Sequence, residues 1–117
     1  MAIAAAMSGV GYALQSAATT GNGNVVCPPP TFRNHILYVT VPAGVTAGAI
    51  QPESAEDPTY TGTWAPIGGG PVTVPAASGS SIIEFTGYYK AIRARITTTI
   101  SGGGAPSVTV DYVGSRP

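Results

Sequence analysis

Apolar and polar residues alternate most strictly toward the C-terminus. From Tyr89 to Ile100, the residues Ile92, Ala94, Ile96, Thr98 and Ile100 share one parity, and Ala91, Arg93, Arg95, Thr97 and Thr99 share the other. A period of two is that of a β-strand, whose successive side chains point to opposite sides. The isoleucine side is expected to be core, and the arginine side to meet water or a partner. Ser107 to Val113 repeats the pattern, with Val108, Val110 and Tyr112 against Thr109 and Asp111. Gly102-Gly103-Gly104 lies between the two segments. They read as a C-terminal hairpin in which Asp111 opposes Arg93 or Arg95.

The rest of the chain is punctuated by Gly and Pro roughly every eight to twelve residues, the rhythm of an all-β sandwich or barrel. Expected strands are Tyr12–Ala18, Asn24–Cys27, His35–Val41, Val45–Gln51, Val72–Pro75 and Ser80–Thr86, and Tyr60–Pro66 carries the only tryptophan, Trp64. Both sides of His35–Val41 are largely apolar, which predicts cover on both sides. Pro52–Pro58 holds three of the five acidic residues between two prolines and reads as a solvated loop. Ala2–Gln15 is the only stretch with any helical character, and Gly9 and Gly11 weaken it. The fold class is therefore all-β: an antiparallel β-sandwich, jelly-roll-like or Greek key, with an extended N-terminal arm. Residues 1–24 form that arm and a candidate first strand, and residues 25–117 a single sandwich domain.

Composition narrows the function. Only 10 of 117 residues carry a formal charge and the net charge is zero, against roughly a quarter charged in an average globular protein. There is no basic field for nucleic acid and no polybasic run for an anionic membrane. Zero net charge favours association. The apolar content is largely Ala and Val, so the core is thin and stability from identical copies is expected. The N-terminal Met1–Met7 is apolar, without a basic residue before Arg33. It lacks the charged start and the length of a secretory signal or a membrane span. It reads as a docking arm, with Ile3 and Met7 as contact residues.

Little catalytic chemistry is on offer. One His, one Cys and five scattered acids leave no nucleophile–base–orienter set. A structural zinc site needs about four ligands, so no metal and no cofactor is expected. Cys27 cannot form a disulfide within the chain and is expected to be a small buried hydrophobe. The glycine runs 68–70 and 102–104 are turns, since no Lys-Ser/Thr follows and no helix opens there. Expected protein-contact residues are Ile3, Met7, Tyr12, Leu14, Pro28, Pro29 and Pro30, with Arg93 and Arg95, because the arginine fork is favoured at interfaces. Tyr60, Trp64, Tyr88 and Tyr89 offer an alternative, a stacking platform for glycans; packing in the core or at a subunit interface is the reading preferred for them.

Three segments carry a resemblance: 35–50 (HILYVTVPAGVTAGAI), 61–67 (TGTWAPI) and 85–96 (FTGYYKAIRARI). Across residues 20–113 the chain resembles small β-structured virion proteins of tailed bacteriophages in texture and strand order. The resemblance implies a β-sandwich or jelly roll, usually trimeric, on the outside of the shell. Its implied role is capsid decoration or cement, as a homo-oligomer bound to the major capsid protein, without nucleic acid or membrane. The alternatives are a head-fibre or tail module gripping host glycans, and a tail-tube or connector subunit. The resemblance transfers no catalytic residues.

Overall fold

The computed structural model describes residues 12–68, 71–74 and 79–117. Ile3 and Met7 lie outside the described residues. The elements are β1 (Tyr12–Ala18), β2 (Asn34–Val41), β3 (Val45–Ala55), β4 (Ala65–Pro66), β5 (Val72–Thr73), β6 (Gly79–Thr86), β7 (Ala91–Gly102) and β8 (Val108–Ser115). They form two antiparallel sheets. One has the order β1-β8-β2-β6; in the other, β3 pairs with β7 on one side and with the short β4 and β5 on the other.

The outer edge of β7 is not bare. Residues 19–26 run antiparallel along it, through Ile100 N–H to Thr19 O at 3.0 Å, Ile96 N–H to Gly21 O at 3.0 Å and a reciprocal pair between Val26 and Ile92 at 2.9 and 2.8 Å. With that segment counted as a strand, the chain pairs first with last and inward from there. β1 pairs with β8, 19–26 with β7, β2 with β6, and β3 with β4 and β5. Those are the four antiparallel pairs of one long hairpin rolled into two sheets, which is a jelly roll. The all-β antiparallel sandwich expected from periodicity is the fold observed.

The inner sides supply the core. Leu14, Leu37, Val39, Val41, Val108, Val110 and Tyr112 of the first sheet meet Val45, Ile50, Ile92, Ala94, Ile96 and Ile100 of the second, all buried. Each fully buried Leu or Ile contributes about 1.5–3 kcal/mol.

Four expectations are corrected. β7 and β8 do not form a hairpin: they lie in different sheets, and Gly102–Gly104 begins the connection between them. Two amphipathic strands facing each other across a core show the same alternation as two strands side by side, so the pattern alone does not separate the cases. Asp111 accordingly aligns with Tyr38 and Ala13, away from the arginines. β3 runs on to Ala55, through the stretch read as a solvated loop. Asn24–Cys27 is a bridged segment, not a full strand. Finally, β2 is covered on one side only: His35, Leu37, Val39 and Val41 are buried, while Ile36 is half-buried and Tyr38 and Thr40 are exposed. Within residues 1–24, Tyr12–Ala18 is built into the first sheet and 19–24 follows the second.

His35 is the one ionisable base in the core, 1% exposed. Its ring stacks on Phe85 and meets Tyr89 edge-on. Nε2 lies 2.7 Å from the Gly87 carbonyl, which can only accept, so Nε2 carries the proton. Nδ1 then accepts from the Tyr112 hydroxyl at 2.6 Å. Both nitrogens are used by the neutral ring. Burial pushes the His35 pKa below 6.5, against the weaker opposite pull of the Gly87 carbonyl. Burial also raises Tyr112 to about 12. The folded state thus binds the His35 proton less readily than the unfolded chain. The stabilisation is complete above the unfolded value and is lost as pH falls through 6.5 toward the lower folded value. Urea unfolding is expected to show stability declining below pH 6.5, with a slope of at most about 1.4 kcal/mol per pH unit from this group. In His35→Gln that portion of the slope is expected to vanish; an unchanged slope would assign it elsewhere.

Candidate functional site

The outer side of the second sheet carries the densest polar chemistry. Its register sets Gln51 opposite Arg95 and Glu53 opposite Arg93. All four side chains point away from the core, because Ile50, Ile92, Ala94 and Ile96 point into it. β3 reaches this far despite Pro52. The Pro52 carbonyl accepts from Ile67 N–H at 2.8 Å. Its nitrogen faces the same side, between the stretches paired with β4 and β5. The missing N–H therefore falls where no ladder bond is needed.

Glu53 is 3% exposed and clamped between two guanidiniums. Arg93 Nε donates to Oε1 and Arg95 Nε to Oε2, each at 2.9 Å. The side chain of Arg93 is 14% exposed and that of Arg95 is 41% exposed. Arg93 also lies over the Trp64 ring, 4.3 Å from its centroid, a cation–π contact worth roughly 0.5–2 kcal/mol. Trp64 Nε1 donates to the Tyr60 carbonyl at 2.9 Å. Gln51 is buried and donates from Nε2 to the carbonyls of Pro52 and Ile67 at 2.7 and 3.2 Å.

One group in this array is unsatisfied. The ladder passes from Ile50↔Ile96 to Ala49↔Thr98, which leaves Thr97 as the extra residue of a β-bulge. The Thr97 hydroxyl is buried without a hydrogen-bond partner among the described residues. Gln51, Glu53, Trp64, Arg93, Arg95 and Thr97 line one hollow of about 660 Å³.

The candidate residues of the sequence sort into three places. Arg93 and Arg95 converge on this hollow, held by a carboxylate that the sequence reading had placed in a loop. Tyr12, Pro28 and Pro29 meet around a smaller apolar hollow of about 180 Å³, with Phe32 and Tyr112 in its wall; Pro30 is exposed outside it. Leu14 is fully buried in the core cluster, so it is core and not a contact residue. Cys27 is exposed on the rim of the apolar hollow, not buried, because it precedes the proline run at the sheet end.

The aromatic platform is divided. Tyr60, Tyr88 and Tyr89 line a third hollow of about 570 Å³ with Glu56 and Lys90. Trp64 is 3% exposed under the Arg93 guanidinium, so its ring face is not available for stacking. Of the three acids in the Pro52–Pro58 stretch, Glu56 and Asp57 are solvated as expected. Asp57 accepts from Thr59 N and Oγ1 at 2.8 and 2.6 Å, and these bonds hold its carboxyl below the ordinary value.

Glu53, Gln51 and Thr97 are the members of the site that sequence reasoning missed. A signal existed for the first two: Ala49, Gln51 and Glu53 share one parity, with Ile50, Pro52 and Ser54 on the other. Thr97 gave none, since a bulge has no periodicity of its own. No protein-family model matches this chain, and no curated protein or solved structure matches it either.

Proposed function

We propose that this chain is a structural protein of a virus particle, a decoration or cement subunit bound to the outer surface of a capsid. The observation that carries this reading is the outer face of the β1-β8-β2-β6 sheet. Its register aligns Ile82, Tyr38 and Asp111 in one row, and Glu84, Ile36 and Val113 in the next. Ile82 is 58% and Tyr38 41% exposed. The solvent side of an antiparallel sheet is ordinarily polar; an exposed Ile–Tyr pair there is suited to covering another protein. Asp111 and Glu84 are the only charges in these rows, so few ions need desolvation on docking.

The occupant favoured for this face is the shell. Four strands about 4.8 Å apart and about seven residues long present roughly 450 Å². That is below the roughly 800 Å² per partner of a stable interface. One copy would hold weakly, which fits a homo-oligomer, expected to be a trimer, attached at many repeated positions. A jelly roll is compatible with this role; the fold occurs in viral capsid domains and in lectin domains alike. The proposed mechanism is burial: each copy adds apolar contact across neighbouring capsid subunits and resists the outward push of the packaged genome.

The test is co-sedimentation with shells of the source virus. Wild type is expected to pellet with them. Ile82→Asp, at an exposed site, is expected to unfold at an unchanged temperature and to bind at least tenfold more weakly, the equivalent of about 1.4 kcal/mol. A chain that does not pellet, or an Ile82→Asp variant that pellets like wild type, would sink the reading.

A further inference from the structure

We infer that the hollow on the outer face of β3 and β7 is a binding site for an acidic sugar, a saccharide bearing a carboxylate. Three features carry this. The first is charge: Arg93 and Arg95 face one carboxylate, Glu53, so one positive charge is left over among the described lining. A singly charged anion matches it better than a phosphate monoester of about −1.5 to −2. The second is donor geometry. Among the described residues, each guanidinium spends only Nε–H on Glu53. The remaining N–H groups of the planar fork suit a carboxylate, and the Arg95 side chain is 41% exposed.

The third is Thr97. An unpartnered buried hydroxyl is rare and asks for an explanation. This one belongs to a β-bulge in the lining of the hollow. Thr97 lines the hollow, and a hydroxyl both donates and accepts. A ligand with a hydroxyl beside its carboxylate, as a uronic acid has, meets the guanidinium fork and this hydroxyl together. The hollow, about 660 Å³, lies within the roughly 300–1,000 Å³ of small-ligand sites.

The site lies on the sheet opposite the face proposed to dock on the shell. A subunit seated by β1-β8-β2-β6 would turn this hollow toward the medium. The binding claim does not depend on that reading, since it is tested on the isolated protein and the shell reading by co-sedimentation.

The experiment is calorimetric titration of the 117-residue protein with glucuronate, glucose and tetraglutamate in turn. Glucuronate is expected to bind, with glucose and tetraglutamate at least tenfold weaker. Arg95→Gln is expected to weaken glucuronate binding about tenfold, the loss of one charge-assisted contact. Thr97→Val separates function from structure. It removes a hydroxyl that no described residue uses, so its unfolding temperature is expected to be no lower than wild type while glucuronate affinity falls. Four results would overturn the proposal: no glucuronate binding at millimolar concentration, glucose binding as well as glucuronate, tetraglutamate binding better than glucuronate, or unchanged affinity in Thr97→Val.

Discussion

Glu53→Ala is expected to lower the unfolding free energy by about 3 kcal/mol, read as a shift in urea midpoint. The carboxylate is 4% exposed and receives Arg93 Nε and Arg95 Nε at 2.9 Å each. Removing one member of a buried ionic group leaves its partners charged and unpaired, which destabilises by about 3–5 kcal/mol. The lower end applies because the Arg95 side chain is 41% exposed and can turn to water. Arg93 cannot do so as readily: its side chain is 14% exposed, with Trp64 against its guanidinium. Against a total stability of roughly 5–15 kcal/mol for such a domain, this is a large loss. A companion variant separates ionic pairing from simple packing. Replacing Glu53, Arg93 and Arg95 together by Leu, Met and Met removes every charge at once. It is expected to recover most of the loss, since an apolar substitute for a whole buried ionic group is often neutral. A Glu53→Ala loss below about 0.5 kcal/mol, the range of an ordinary surface change, would show that the clamp contributes nothing to the fold.

The clamp also shows where the sequence is readable and where it is not. Alternation located β6, β7 and β8 nearly to the residue, because one side of each faces a single core and the other does not; β1 and β2 are marked instead by β-forming residues between turn signals, β2 reading as apolar on both sides. It put Arg93 and Arg95 on one side of one strand, and the structure keeps them there. What alternation does not encode is which strand lies next to which. Glu53 looked like a loop acid because Pro52 precedes it and Glu56, Asp57 and Pro58 follow. Only the pairing of β3 with β7 reveals it as the counter-ion of both arginines. Trp64 likewise looked like a candidate stacking ring until the fold laid Arg93 over it. Tyr60, Tyr88 and Tyr89, far apart in part of the chain, come together only at one end of the second sheet.

Gly102→Ala is the sharper probe of how β7 ends against β3, and its expected cost is about 2–6 kcal/mol. Gly102 has φ +146°, a conformation that L side chains rarely adopt, and forcing one there costs of order 1–3 kcal/mol. Its added Cβ would lie 2.2 Å from Gly44 O, 2.8 Å from Val45 Cα and 2.8 Å from Thr46 N. All three are backbone atoms, so no side chain can swing aside, and overpacking adds a further 1–3 kcal/mol or so. Those atoms belong to the turn between β2 and β3 and the start of β3, against which the end of β7 pairs, Val45 opposite Gly102, before the chain leaves the second sheet for the first. The adjacent Gly103 is the control. Nothing lies within 4 Å of a Cβ built there and its φ is not in the left-handed range, so Gly103→Ala is expected to stay within about 0.5 kcal/mol of wild type. The large difference between neighbouring glycines is therefore a property of the β3–β7 pairing, whose last rung brings backbone too close to Gly102 for any side chain. Equal effects at 102 and 103 would mean that β7 does not end against Val45 as this register has it.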